Sequence, residues 1–79
     1  MDTATANLIQ LMLDRAESLR EKGDLHEAIH AVNAAIEKCE QALGPDLGVI
    51  DAFVNSLEAR ADLYLELGRY EDAAEDMKH

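Results

Sequence analysis

Tryptophan is missing from this 79-residue chain, and cysteine, proline and phenylalanine occur once each. A lone Cys39 excludes an intrachain disulfide and suits a reducing compartment. Aromatic residues make up 4%, so the core has to be built from Leu, Ile, Val and Ala. One proline and four glycines leave few places to break the chain, which favours helices joined by short turns. Basic residues are scarce too, 7 against 17 acids, for a net charge of −10. Such a surplus repels nucleic-acid phosphates and anionic membrane surfaces, so neither is expected as a partner. No apolar run approaches the roughly 20 residues of a membrane span. The opening Met1-Asp2-Thr3-Ala4 lacks the basic stretch and apolar run of a secretion signal. The expected location is cytoplasmic. No glycine-rich phosphate loop, nucleophile elbow or CxxC pair occurs, and no cofactor is expected.

What is present is helical periodicity. Hydrophobic residues reach 48%, enough for a packed domain, although a chain of this length buries only about 60% of its unfolded surface. A first helix is predicted from about Thr5 to Lys22, with Leu8, Met12, Ala16 and Leu19 inward, Thr3 or Thr5 as N-cap, and Gly23 as its stop. A second opens at Asp24-Leu25-His26-Glu27, an acidic variant of the capping box. Its stripe is Leu25, Ala28, Ile29, Val32, Ala35, Ile36, Cys39 and Leu43, and Gly44-Pro45 ends it. A third begins near Asp46 or Leu47, turns Ile50, Phe53, Leu57, Ala61 and Tyr64 inward, and stops at Gly68. The fourth, from about Tyr70, carries Tyr70, Ala73, Ala74 and Met77 and is too short to be stable alone.

The two halves repeat. Arg15-Ala16, Leu19, Gly23, Leu25, Glu27 and Ala28 have counterparts in Arg60-Ala61, Tyr64, Gly68, Tyr70, Asp72 and Ala73, 45 residues further on. A repeat in a helical chain implies hairpins stacked side by side, each burying the apolar face of the next.

On these residues the chain resembles the tetratricopeptide family. A small residue in the first helix of the unit, a large one three positions on, a turn glycine, an apolar residue and Glu-Ala occur at Ala16, Leu19, Gly23, Leu25, Glu27 and Ala28. The 45-residue offset and the Ala42-Leu43-Gly44-Pro45-Asp46 segment are similar to the longer repeats of kinesin light chains. Arg15, Arg60 and Gly48 depart from the pattern. The resemblance implies an all-α domain over 1–79: two stacked antiparallel helix hairpins of a tetratricopeptide-like superhelix. Repeat 1 covers about 5–44, and repeat 2, about 46–79, is truncated. It also implies a non-catalytic protein–protein interaction module, a scaffold or adaptor whose ligand lies along the first helix of each hairpin. Carried over by register, that face comprises Leu13, Glu17, Arg20 and Glu21 with Glu58, Asp62, Leu65 and Glu66.

Glu58, Asp62 and Glu66 follow at i, i+4 and i+8, where like charges repel by a few tenths of a kcal/mol, roughly. A partner protein or peptide with a basic segment offsets that repulsion. The plainer reading is a solvated face that keeps the protein soluble. Family members that grip acidic C-terminal tails use lysines and asparagines there, whereas this chain offers Gln10, Asn55 and mostly acids. An acidic tail is therefore not the expected ligand. The short fourth helix leaves apolar surface undercovered, which points to a homodimer or to neighbouring repeats as a second reading.

His26-Glu27-Ala28-Ile29-His30 matches the H-E-x-x-H signature of zinc hydrolases, a third reading. Both histidines lie off the apolar stripe, Glu27 and Ala28 are accounted for by the repeat, and His79 is the remaining histidine. No metal site is expected. Cys39 falls within the stripe and reads as a small core hydrophobe.

Overall fold

The computed structural model describes residues 3–42 and 47–78. Its elements are α1 (Thr3–Glu21), α2 (Leu25–Gln41), α3 (Leu47–Glu66) and α4 (Tyr70–Met77), with no strand among the described residues. The fold is all-α. Helix α1 packs on α2, α2 on α3 and α3 on α4, while α1 and α3 touch only lightly. The Cα envelope measures 34 × 26 × 14 Å. A helix has a Cα radius of about 2.3 Å and packs about 9 Å from its neighbour, so the short dimension fits two layers.

The two hairpins turn in the same way. Gly23 (φ 82°) and Gly68 (φ 75°) hold the left-handed backbone that a helix C-cap needs. In the first turn the Gly23 amide donates to the Arg20 carbonyl and the Asp24 amide to that of Leu19, both at 2.9 Å. In the second, Gly68 donates to Leu65 at 3.1 Å and Arg69 to Tyr64 at 2.8 Å. Both are Schellman turns, satisfying carbonyls the helix end leaves free.

The residue after each glycine starts the next helix with nearly equal dihedrals, φ −90° and ψ 65° at Asp24, φ −91° and ψ 68° at Arg69. The capping box expected at Asp24 is not made: its side chain caps nothing. Its backbone is committed to the preceding turn and departs from the β region from which a side chain reaches the first amides. Arg69, whose side chain has no acceptor to offer, serves equally well in the same place.

Helix α2 is the spine. Ala28, Ile29, Val32, Ala35, Ile36 and Cys39 are all buried, as its stripe foretells, between α1 and α3. It ends at Gln41, with Ala42 as C-cap, before Leu43; the expected stop at Gly44-Pro45 lies outside the described residues. Helix α1 starts at Thr3, so Thr3 and Thr5 sit within it and are not its N-cap. Its buried face holds Ile9 and Ala16, with Met12, Leu13 and Leu19 packed against the core, whereas Leu8 is exposed.

Helix α3 is covered by more than one neighbour. Val49, Ser56, Leu57, Ala61 and Leu63 are buried, and Ile50 faces out in place of Val49. The buried Ser56 hydroxyl donates to the Ala52 carbonyl at 2.8 Å. Alanines 16, 28, 35, 61 and 73 and Ser56 are small residues buried in the core.

Helix α4 departs most from expectation. Only Ala73 of its apolar residues is buried, Tyr70 and Met77 are 68% and 60% exposed, and the second buried position is Asp76. Arg60 of α3 grips that carboxylate with both forks: Nε donates to Oδ2 at 2.8 Å and Nη2 to Oδ1 at 2.6 Å. Its Nη1 donates to Asn33 Oδ1 at 2.9 Å, so one guanidinium ties α2, α3 and α4. Hydrogen bonding to Asp76 raises the Arg60 pKa above its ordinary value, with burial opposing. Arg60 and Arg69 also approach the Tyr64 ring, at 5.8 and 4.7 Å from its centroid.

Candidate binding groove

The light contact between α1 and α3 leaves a groove of about 270 Å³ between them, with the buried Val32 of α2 beneath it. From α1 it is lined by Gln10, Leu13, Asp14, Ala16, Glu17 and Arg20. From α3 come Asn55, Ala59, Asp62 and Leu63. The apolar floor and the polar rim follow from helix periodicity: residues three, four and seven apart share a face on each wall. The volume falls just under the roughly 300–1,000 Å³ of small-molecule sites. It suits one or two side chains of an extended or helical segment.

Of the residues expected at a binding face, Leu13, Glu17, Arg20 and Asp62 line this groove. Glu66 closes one end: its Oε2 accepts from Arg20 Nε at 2.9 Å, across from α1 to α3. Arg20 Nη1 also lies 4.0 Å from Glu17 Oε2. The hydrogen bond to Glu66, then its charge, raises the Arg20 pKa, with smaller contributions from Glu17 and Asp62. Glu21 and Leu65 are exposed outside the lining.

Glu58 does not share the groove. It borders a separate cavity of about 100 Å³ between α3 and α4, with Val54, Leu57, Asp76 and Met77. Steps of four advance about 40° around a helix of 3.6 residues per turn. Three such positions therefore fan out and do not form a straight ridge. Glu58 falls on the α4 side, Asp62 in the groove and Glu66 opposite Arg20. The like-charge ridge is also partly neutralised by that arginine.

Three polar residues enlarge the site. Gln10 and Asn55 stand in the lining, and Asp14 accepts from Gln10 Nε2 at 2.9 Å. Their spacing from Leu13, Glu17 and Asp62 on the same helix faces was the available signal. Glu66, Glu17 and Asp62 thus act together on Arg20, the cation in the groove lining.

His26 and His30 are exposed on α2, and His30 Nδ1 lies 3.9 Å from Glu27 Oε1. Among the described residues no three His, Cys, Asp or Glu side chains gather as a metal site; His79 lies outside them. Cys39 is fully buried, and burial raises its thiol pKa, with a Ser56 hydrogen bond opposing. No helix among the described residues is long and apolar enough to cross a membrane.

Compared with known proteins, the chain matches no family model, no curated protein and no solved structure.

Proposed function

We propose that this chain is a non-catalytic, tetratricopeptide-like module that binds a segment of another protein in the groove between α1 and α3. The observation that carries the reading is the groove itself, with an apolar floor formed by Leu13 and Ala59 over the buried Ala16 and Val32, under a rim of Asp14, Glu17 and Asp62. An apolar side chain fills the floor, and flanking lysines or arginines meet the rim. The matching Schellman turns at Gly23 and Gly68 support the two-repeat reading. The net charge of −10 favours a basic segment over an acidic one, and a cytoplasmic setting agrees with the lone thiol.

The test is an NMR titration of the full chain with a synthetic peptide carrying one leucine between lysines. Shifts should concentrate on groove residues, and the Asp14→Lys, Asp62→Lys double variant should weaken binding at least tenfold. Shifts centred on α4, or unchanged affinity in that variant, would reject the groove.

A second reading rests on α4, where Tyr70 and Met77 stand exposed seven residues apart on one helix face. Such a face suits self-pairing. A strict monomer in sedimentation at high concentration counts against it.

A further inference from the structure

The groove already holds one cation, and the chain supplies it. Arg20 reaches from α1 to Glu66 on α3 at 2.9 Å, with Glu17 at 4.0 Å and Asp62 contributing to its charge environment. Where Arg20 and Glu66 meet, α1 and α3 are bridged by charge, with little packing between the two helices. The side chains of the pair are 39% and 40% exposed, so an incoming group has access to both partners.

We infer that Arg20 is a built-in competitor for the basic ligand: its guanidinium occupies the position at Glu66 that a ligand lysine or arginine takes on binding. The inference rests on the groove reading above. It adds a direction of approach: the ligand's apolar side chain sits over Leu13 and Ala59, and its cation lies towards the Glu66 end. It also adds a filter. A ligand has to displace Arg20, so a lone positive charge, which exchanges one cation for another, gains little. A cation joined to an apolar anchor gains the burial as well. Selectivity for combined apolar and basic segments over merely basic ones follows from that difference.

Removing Arg20 leaves Glu17, Asp62 and Glu66 without their internal counter-charge. An exposed ion pair of this kind is weak, so its removal should tighten binding by about two- to five-fold and not by orders of magnitude. The effect should shrink as salt rises, because the groove is open to solvent.

The experiment measures the affinity of the full chain for a dye-labelled peptide with one leucine between lysines. The variants are Arg20→Gln, Lys22→Gln and the double Arg20→Gln, Glu66→Gln, each checked by circular dichroism for an unchanged fold. Lys22 is exposed on the same helix end and outside the groove, so it controls for bulk charge. Tighter binding by Arg20→Gln, little change in Lys22→Gln and return to the wild-type value in the double variant support the inference. A peptide that binds only Arg20→Gln supports it more strongly. Equal or weaker binding by Arg20→Gln, or equal tightening by Lys22→Gln, overturns it while the groove reading stands. No binding by wild type or Arg20→Gln removes both.

Discussion

Replacing Arg60 by alanine should unfasten α4 and lower the stability of the whole domain. The Arg60–Asp76 pair joins α3 to α4 through two hydrogen bonds at 2.8 and 2.6 Å, and the side chains are 23% and 5% exposed. Exposed pairs are worth about 0.2–1 kcal/mol, and breaking a fully buried one costs about 3–5 kcal/mol. With the carboxylate buried and the guanidinium about three-quarters covered, Arg60→Ala should cost about 2–3 kcal/mol. Most of that reflects a stranded carboxylate. A domain of this size holds about 4–12 kcal/mol in total, so the change is large, and Tm should fall by about 10–20 °C. Because α4 buries only Ala73 and Asp76, the first loss should be local. Hydrogen exchange should show the amides of α4 losing protection before those of α2. A double-mutant cycle with Asp76→Ala, followed by urea denaturation, isolates the coupling, expected at about 2 kcal/mol. Substituting Met at 60 and Leu at 76 together should recover most of the stability, since a packed apolar pair serves as well as a buried ionic one. Coupling below about 0.5 kcal/mol, with α4 protection unchanged, would show the pair to be ornamental and the reasoning wrong.

Two further perturbations bear on the fold. Gly23→Ala and Gly68→Ala should each cost about 1–2 kcal/mol from the left-handed backbone alone, because a Cβ at either position meets nothing within 4 Å. Similar losses by thermal melting are expected at both sites; a much larger loss at one would mean that the turns are not equivalent. The raised Cys39 pKa has a fixed sign for pH: the folded state holds the thiol proton more tightly than the unfolded state does. Stability from this group is complete below the unfolded value of about 8.5 and is lost as pH rises through the higher folded value. Denaturation curves from pH 7 to 10 should show the decline, and Cys39→Ala should flatten it at some cost in packing. An equal slope in that variant would assign the alkaline loss to other groups.

The readability of the sequence varied with the number of neighbours each helix has. Helix α2 lies between α1 and α3, so every apolar position of its stripe from Ala28 to Cys39 is buried and the pattern reads directly. Helix α1 has one principal neighbour and a groove beside it. There, Leu8 and Ile9 are both acceptable starts for a stripe continuing through Met12 and Ala16, and only the packing on α2 selects Ile9. Helix α3 is covered on several sides, so a single stripe through Ile50 missed Val49 and Ser56. The groove was half legible for the same reason. Leu13, Glu17, Arg20 and Asp62 share helix faces that register alone identifies, but Glu58 is turned towards α4 by the 40° drift of each four-residue step. Nothing local in the sequence marks Asp76 as buried, because its partner lies sixteen residues away on another helix.

Equivalent positions in the two hairpins differ in burial and in pairing. Leu25, Ile29 and Val32 correspond at the 45-residue offset to Tyr70, Ala74 and Met77. The first set is half-buried or buried, and the second is exposed, although turn geometry and register are shared. Helix α2 has a neighbour on either side, whereas among the described residues α4 packs on α3. Among the described residues α4 has no counterpart of the apolar burial that holds α2, and the Arg60–Asp76 contact joins it to α3. At the same offset Arg15 corresponds to Arg60 and Ala31 to Asp76. Arg15 is exposed and makes no ion pair among the described residues, while Arg60 makes the bidentate contact that secures α4. The arginine that makes no ion pair among the described residues of the first hairpin is thus matched by one that ties the second, where aspartate stands in place of alanine. That exchange places a directional bond on a helix of small apolar burial, while Tyr70 and Met77 stay outward.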